Sequence, residues 1–291
     1  MLQVIRVQKA VAAERHGTAA EYPGVFMEMI TSASNVQVKK IRALNSKAKI
    51  RREEGLFVAE GTRLFREIPP MLREHVYVSE SFYREHADIL NGICYDVLEE
   101  NLFRRVCDTK TPQGILTVAK IPEWSRNDLL GAGGNAPLIL VLEDLQDPGN
   151  VGTMIRTAEA AGVTGVVVST GTADLYQPKV IRSTMGSIFR VPLRREENLE
   201  ETVHWLKEKK IRVFGAHLKG SQSYADQDYT EGTAFCIGNE GNGLSEKLTG
   251  MLDSRIRIPM EGQVESLNAA ISAAVLVYTA HAQRAAGLPR Y

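Results

Sequence analysis

Five consecutive apolar residues, Leu138–Leu142 (LILVL), stand just ahead of an acidic loop, EDLQDPGN. A run this short and uniformly apolar suits a strand buried on both faces, as in a parallel sheet. The segments after it alternate. Residues 165–169 read as a second strand and 177–184 as a short helix, and RSTMGSIFRVPL ends in an apolar strand. Residues 199–209 have helical spacing, 213–217 and 234–237 read as strands, and a short β run from Ile256 stops at Pro259. Strand and helix alternating through short connections predict a parallel sheet flanked by helices. A final helix follows the turn at Glu261, Gly262 and Gln263. Ser266 is placed to cap it, Leu267, Ile271, Ala274 and Tyr278 share one stripe, and the alanines between 269 and 274 permit close backbone packing.

The N-terminal half carries a second α/β pattern. Residues 35–52 (NVQVKKIRALNSKAKIRR) read as one amphipathic helix with Ile41, Leu44 and Ala48 on its inner face. Its outer face holds Lys39, Lys40, Arg42, Lys47, Lys49, Arg51 and Arg52, a candidate phosphate-contacting surface. A strand at 56–59, a turn at Glu60–Gly61, a helix with Leu64, Phe65 and Ile68, and strands at 75–78, 95–97 and 115–119 complete a small domain, with helical segments at 82–91 and 99–106. Arg104, Arg105 and Lys110 form a second basic cluster. The reading is therefore an extension at 1–30, either disordered or untranslated with a start at Met27 or Met29, then a domain at 31–122, a flexible Gly/Asn-rich linker at 123–137, and a domain at 138–291.

Composition narrows the partners. Lys plus Arg equals Asp plus Glu at 35 each, so no global field draws the protein to nucleic acid and any such affinity comes from local patches. Three cysteines without paired spacing suggest neither a disulfide framework nor a metal site. No apolar run is long enough for a membrane span, and a reducing cytoplasm is the expected compartment.

The glycine-rich turns do not follow the G-x-G-x-x-G spacing of dinucleotide folds. Three stretches carry a different pattern: Asn150, Gly152, Arg156, Ala158 and Gly162 in the first; Gly238, Asn239, Glu240, Gly241, Gly243 and Leu244 in the second; and Ile258, Pro259, Met260, Gly262, Ser266, Leu267 and Asn268 in the third. Together they resemble the three motifs of the SpoU (TrmH) family of RNA ribose 2'-O-methyltransferases, in the SPOUT superfamily. The N-terminal half, through Gly55, Phe57, Glu60 and Gly61, resembles the ribosomal-protein-like substrate-binding domain that precedes many such enzymes.

The resemblance implies an α/β fold whose C-terminal parallel sheet is threaded into a deep trefoil knot. It implies S-adenosyl-L-methionine as cofactor, RNA as partner, a homodimer and no metal. Cofactor contacts would come from the segment 215–218 including Leu218, and from Ile237, Gly238, Gly243, Ile258, Met260 and Leu267. Arg156 would be the residue acting on the 2'-hydroxyl. As a guanidinium it suits orienting the acceptor and stabilising a developing alkoxide. Asn150 would orient Arg156 or the ribose, and Ser266 and Asn268 would close the pocket. Glu240 would hold the methionine part of the cofactor or support a loop, with capping of a helix near Leu244 as the plainer role. Ribosomal RNA is the favoured substrate. Transfer RNA, or a non-catalytic RNA-binding protein on the same fold, are the alternatives.

Overall fold

The computed structural model describes residues 29–217 and 222–286, in two compact units. The first is 1–122 with Tyr176–Pro178, the second 123–175 with 179–291. Residues 1–28, most of the expected extension, lie outside the described residues, as does Leu218.

In the first unit the elements run β1 (Met29–Ile30), α1 (Val36–Ser46), α2 (Ala48–Glu54), β2 (Leu56–Glu60), α3 (Thr62–Glu67), β3 (Arg73–Ser79), α4 (Glu80–Glu85), β4 (Tyr95–Leu98), α5 (Glu100–Val106) and β5 (Ile115–Lys120). The sheet order is β1-β4-β3-β5-β2, parallel from β1 to β3 and antiparallel through β5 and β2. Met29 and Ile30 pair with Val97 and Leu98, so the two residues at the end of the expected extension are part of the sheet. One sheet face buries Val38, Ile41 and Leu44 of α1 against Leu102 and Phe103 of α5; the other buries Phe65, Phe82 and Leu90.

The basic N-terminal segment departs from expectation. It is two helices, broken at Lys47, whose backbone is extended (φ −123°, ψ 108°). The break leaves the last carbonyls of α1 without helical partners. Arg51 turns inward to meet them: its side chain is 4% exposed, and Nη1 donates to the Leu44 carbonyl and to the Asn45 carbonyl at 3.2 Å. Arg51 is therefore a buried helix-end partner and leaves the candidate RNA face. Hydrogen bonds to charged groups contribute about 1.5–3 kcal/mol, so Arg51→Ala is expected to lower unfolding free energy by about 2 kcal/mol in urea titration. The exposed Lys47→Ala should stay within about 0.5 kcal/mol.

The second unit continues with β6 (Leu138–Leu142), α6 (Pro148–Ala160), β7 (Gly165–Ser169), α7 (Pro178–Thr184), β8 (Leu193–Glu196), α8 (Leu199–Glu208), β9 (Arg212–Ala216), β10 (Gln222–Ser223), β11 (Thr233–Ile237), α9 (Glu246–Gly250), β12 (Ser254–Arg257) and α10 (Ala269–Ala286). Its seven strands are ordered β10-β12-β9-β11-β6-β7-β8, and every pairing is parallel. β6 is buried at every residue, as its sequence requires. Within the stretch read as a flexible linker, residues 127–130 form a 3-10 turn and Leu129 is fully buried. A Cβ at Gly165 would come within 2.6 Å of the Leu129 side chain, so a bare backbone there gives the leucine its seat.

One further correction concerns α10. It starts at Ala269, three residues beyond the expected cap, and it buries Ala270, Ala273, Leu276, Val277 and Ala280 against α6 and β11. The stripe through Ile271 and Tyr278 lies off that buried side, the two residues being 51% and 46% exposed. The helix is apolar nearly all round, so periodicity could not choose its buried side.

Candidate active site

In an open parallel sheet, ligands gather beyond the carboxyl ends of the strands where the chain reverses its direction across the sheet. Here the chain moves outward through β6, β7 and β8, then returns to lay β9 and β11 on the other side of β6. The loops after β6 and β11 meet at that point.

After β6 the backbone turns sharply at Asp144, which holds a left-handed φ of 52°. Ser169 at the end of β7 fixes it twice: Asp144 N–H donates to Ser169 Oγ (2.9 Å), and Ser169 Oγ donates to Asp144 Oδ1 (2.6 Å). Asp147 then caps α6, its Oδ1 accepting from Asn150 N–H at 2.8 Å.

After β11 the chain makes a tight hairpin. Asn239 and Gly243 exchange backbone hydrogen bonds at 3.0 and 2.9 Å, with Gly243 at φ +70°. Asn239 Oδ1 accepts from Gly241 and Asn242 N–H, while its Nδ2 donates to the Asp144 carbonyl at 2.7 Å. This one amide shapes the second motif and ties it to the loop after β6. Glu240 completes the join, accepting from Gln146 N–H (3.1 Å), Asp147 N–H (3.2 Å) and Asn150 Nδ2 (3.1 Å).

The third motif arrives through Asn268. Its Oδ1 accepts from Ala270 and Ile271 N–H and so caps α10, and its Nδ2 donates to Asn150 Oδ1 at 3.0 Å. The polarity is consistent from end to end. A carboxylate only accepts, so Asn150 must offer Glu240 its amide hydrogens, and its carbonyl oxygen is left to receive Asn268. Helix amides, Asn268, Asn150 and Glu240 form one directed chain across three segments far apart in sequence.

Several expected roles change. Ser266 is exposed in irregular backbone and caps nothing; Asn268 has the cap. Glu240 supports the 146–150 loop, as one of its expected roles had it, while Ser245 caps α9. Asn150 is engaged by Glu240 and Asn268 and makes no bond to Arg156. Arg156 is exposed on α6, without a hydrogen-bond or ion-pair partner among the described residues. Asp144, Gln146 and Asn239 were not foreseen as site builders. Asn239 carried a readable signal as an asparagine in a glycine-rich turn, whereas Asp144 offered none.

Partial burial pushes the Glu240 carboxyl up, but hydrogen bonds from Gln146 N–H, the Asn150 amide and Asp147 N–H outweigh it and hold the group below the ordinary carboxylate range. A carboxyl with a lowered folded-state pKa stabilises the protein above its unfolded value and loses that contribution as pH falls through the folded one. The wild type should therefore lose urea resistance between about pH 5 and pH 3 more steeply than Glu240→Gln, which has no charge to lose.

The expected cofactor residues sit around the same strand ends. Ile237 is buried, Gly238 closes against Gly243, and Ile258, Met260 and Leu267 are half-buried on the irregular segment before α10. The backbone N–H groups of Ile258, Met260 and Leu267 donate to no described residue. Unspent amides beside half-buried apolar side chains suit a nucleoside held by backbone and ring contacts, and the residues fit S-adenosyl-L-methionine on that ground. A cavity of about 270 Å³ opens nearby, lined by Glu143, Asp144, Gln146, Asn242, Leu244 and Ser245.

A parallel-sheet domain with paired ligand loops at its reversal point, carried behind a second α/β unit, is the arrangement of SPOUT methyltransferases. Residues 137–278 match the SpoU rRNA Methylase family and residues 35–117 the MRM3-like substrate binding domain. The chain is 39% identical, over 87% of its length and 98% of the relative's, to the 23S rRNA (guanosine(2553)-2'-O)-methyltransferase RlmP of Bacillus subtilis. It is 36% identical, over 61% of its length and 63% of the relative's, to the 23S rRNA (uridine(2479)-2'-O)-methyltransferase of Streptomyces viridochromogenes. Among solved structures, the AdoMet-bound rRNA methyltransferase of Sinorhizobium meliloti superposes with a TM-score of 0.78 at 29% identity, covering 90% of this chain and 99% of that one. The SpoU methyltransferase AviRb of Streptomyces viridochromogenes, in complex with AdoMet, also gives 0.78, at 27% identity over 87% of this chain and 100% of that one. The chain belongs to the SpoU rRNA methylase family.

Proposed function

We propose that the protein transfers a methyl group from S-adenosyl-L-methionine to a ribose 2'-hydroxyl of 23S ribosomal RNA. The observation that carries this reading is the hydrogen-bond chain from Asn268 through Asn150 to Glu240, which draws all three motif segments together while leaving the Arg156 guanidinium unspent. The two relatives named for 23S rRNA ribose methylation support the choice of RNA.

Bound by the amides of Ile258, Met260 and Leu267 and by the Gly238–Gly243 hairpin, the cofactor supplies an activated methyl group. The protein's own contribution is position. Asn150, Glu240 and Asn268 are positioning residues that fix the loop after β6 and the first turn of α6. Arg156 orients the acceptor ribose and stabilises negative charge on its oxygen as the hydroxyl proton leaves. The exposed cations Lys39, Arg42, Lys47 and Arg52 hold RNA phosphates; Lys40 and Lys49 share this face but are drawn to Glu54 (2.7 Å) and Glu53 (3.7 Å). The exposed Val264 (62%), Ile271 and Tyr278 meet a second copy in a homodimer. The trefoil knot of the C-terminal domain and a cytoplasmic location belong to the same reading.

The test incubates unmodified 23S and transfer RNA with the protein and methyl-labelled cofactor, and identifies the nucleosides by mass spectrometry. Labelled 2'-O-methylnucleoside from 23S RNA is the expected result. Label only in transfer RNA would move the substrate, and no label despite measured cofactor binding would favour a non-catalytic RNA binder.

A further inference from the structure

The first unit contains a small pocket, about 140 Å³, lined by Ser79, Ser81, Glu85, His86, Glu100 and Gln113. Its walls are held by close backbone approach. Gly114 has a φ of +82°, and a Cβ there would come within 2.7 Å of Phe82 Cβ and 2.9 Å of Ser79 Oγ. Ser79 N–H donates to the Gly114 carbonyl at 2.8 Å. Gln113 is fixed from the other side, because its Oε1 accepts from both N–H and Oγ of Thr62, at 3.0 and 3.1 Å. A backbone N–H can only donate, so the amide oxygen must face Thr62 and the NH₂ group turns away, with no acceptor among the described residues.

The charge pattern selects the occupant. Inside, Glu100 accepts from Ser81 Oγ (2.9 Å) and N–H (3.3 Å), and its other oxygen lies 3.3 Å from Arg104, which leaves lone pairs unspent. Glu85 adds a second carboxylate. Cations flank the wall residues along the chain. Lys110 stands two residues before the wall residue Pro112, and Arg63 follows Thr62; both are exposed and without an ion-pair partner among the described residues. Carboxylates inside repel a free phosphate, and the flanking cations are suited to take one outside. Among the described residues no three His, Cys, Asp or Glu side chains are grouped to hold a metal ion. A nucleotide with its base inside and its phosphate outside satisfies both signs. The size sets how much enters: a cavity of roughly 150 Å³ takes a single six-membered ring, so it admits the pairing edge and six-membered ring of a base and not a whole nucleoside, sites for whole drug-sized ligands running to about 300–1,000 Å³. His86, exposed and packed on Phe82 with ring centroids 4.7 Å apart, offers a face for stacking.

We propose that this pocket reads one unpaired guanine of the RNA, its adjacent N1–H and N2–H donors on Glu100 and its O6 on the Gln113 amide. Guanine presents two neighbouring donors beside an acceptor; adenine and cytosine each offer one exocyclic amine, and uracil a single ring N–H. The proposal rests on the RNA-modifying reading only in taking RNA as the partner.

The experiment measures binding of the full-length protein to short single-stranded uridine oligonucleotides with one central guanosine, inosine, adenosine or uridine, by fluorescence anisotropy at fixed salt. Guanosine should bind about tenfold tighter than uridine, and inosine, which lacks the N2 amine, should lose most of that gain. Glu100→Gln and, independently, Gln113→Ala should each remove the preference, so that guanosine and uridine oligonucleotides bind alike. Lys110→Ala should weaken every oligonucleotide alike. Equal affinity for guanosine and uridine, or a preference that survives both pocket variants, would overturn the proposal. The same preparation is assayed for methylation of 23S RNA. Methylation without guanine preference removes only the pocket, whereas absence of methylation removes the reading above.

Discussion

Arg156→Ala is expected to lower methyl transfer by about a hundred- to a thousandfold, the loss seen when one donor aimed at developing oxygen charge is removed. Cofactor affinity, measured by calorimetry, should stay within about twofold, because the cofactor contacts proposed here come from other segments. The argument rests on what the guanidinium is not doing. It makes no ion pair or hydrogen bond among the described residues, so its removal breaks none there and thermal stability should barely move. Arg156→Lys keeps the charge but not the planar fork, and should recover only part of the rate. Unchanged turnover in Arg156→Ala would remove this residue from the mechanism.

Gly238→Ala should be as damaging by a different route. A Cβ there would lie 2.2 Å from the Gly243 carbonyl carbon, 2.3 Å from Leu244 N and 2.4 Å from Gly243 O. All three are backbone atoms, so no side chain can swing aside and the hairpin must open. Opening strains the Asn239–Gly243 pair and, with it, the Asn239 bond to the Asp144 carbonyl. We expect a loss of about 3 kcal/mol in unfolding free energy and loss of calorimetric cofactor binding. Gly250→Ala is the control: its Cβ would meet nothing within 4 Å, and the change should stay within about 0.5 kcal/mol. Equal behaviour of the two variants would mean that the hairpin yields at little cost.

The parts of the fold legible in the sequence were those set by burial alone. The LILVL run suits the buried centre of a parallel sheet, and that is where β6 lies, between β11 and β7. What could not be read depended on partners distant in sequence. Local chemistry pointed to Ser266 as the cap, but the cap falls to Asn268, whose other end is taken by Asn150. Arg51 looks like any member of a basic run until the helix break at Lys47 exposes carbonyls for it to cover. Glu240 could have faced the cofactor, a loop or a helix; its place was decided by two backbone N–H groups 93 and 94 residues earlier. The motif positions themselves were legible, and the structure supplies the bonds between them.

The bond from Asn268 to Asn150 joins residues 118 apart in sequence. At synthesis rates of about 5–20 residues per second, the loop after β6 is made roughly 6–24 seconds before the residue that completes it. The first turn of α6 must wait for the last helix, so a nascent chain already long enough to hold both α/β units is still without a finished site. The loop after β6 is therefore completed only when α10 docks.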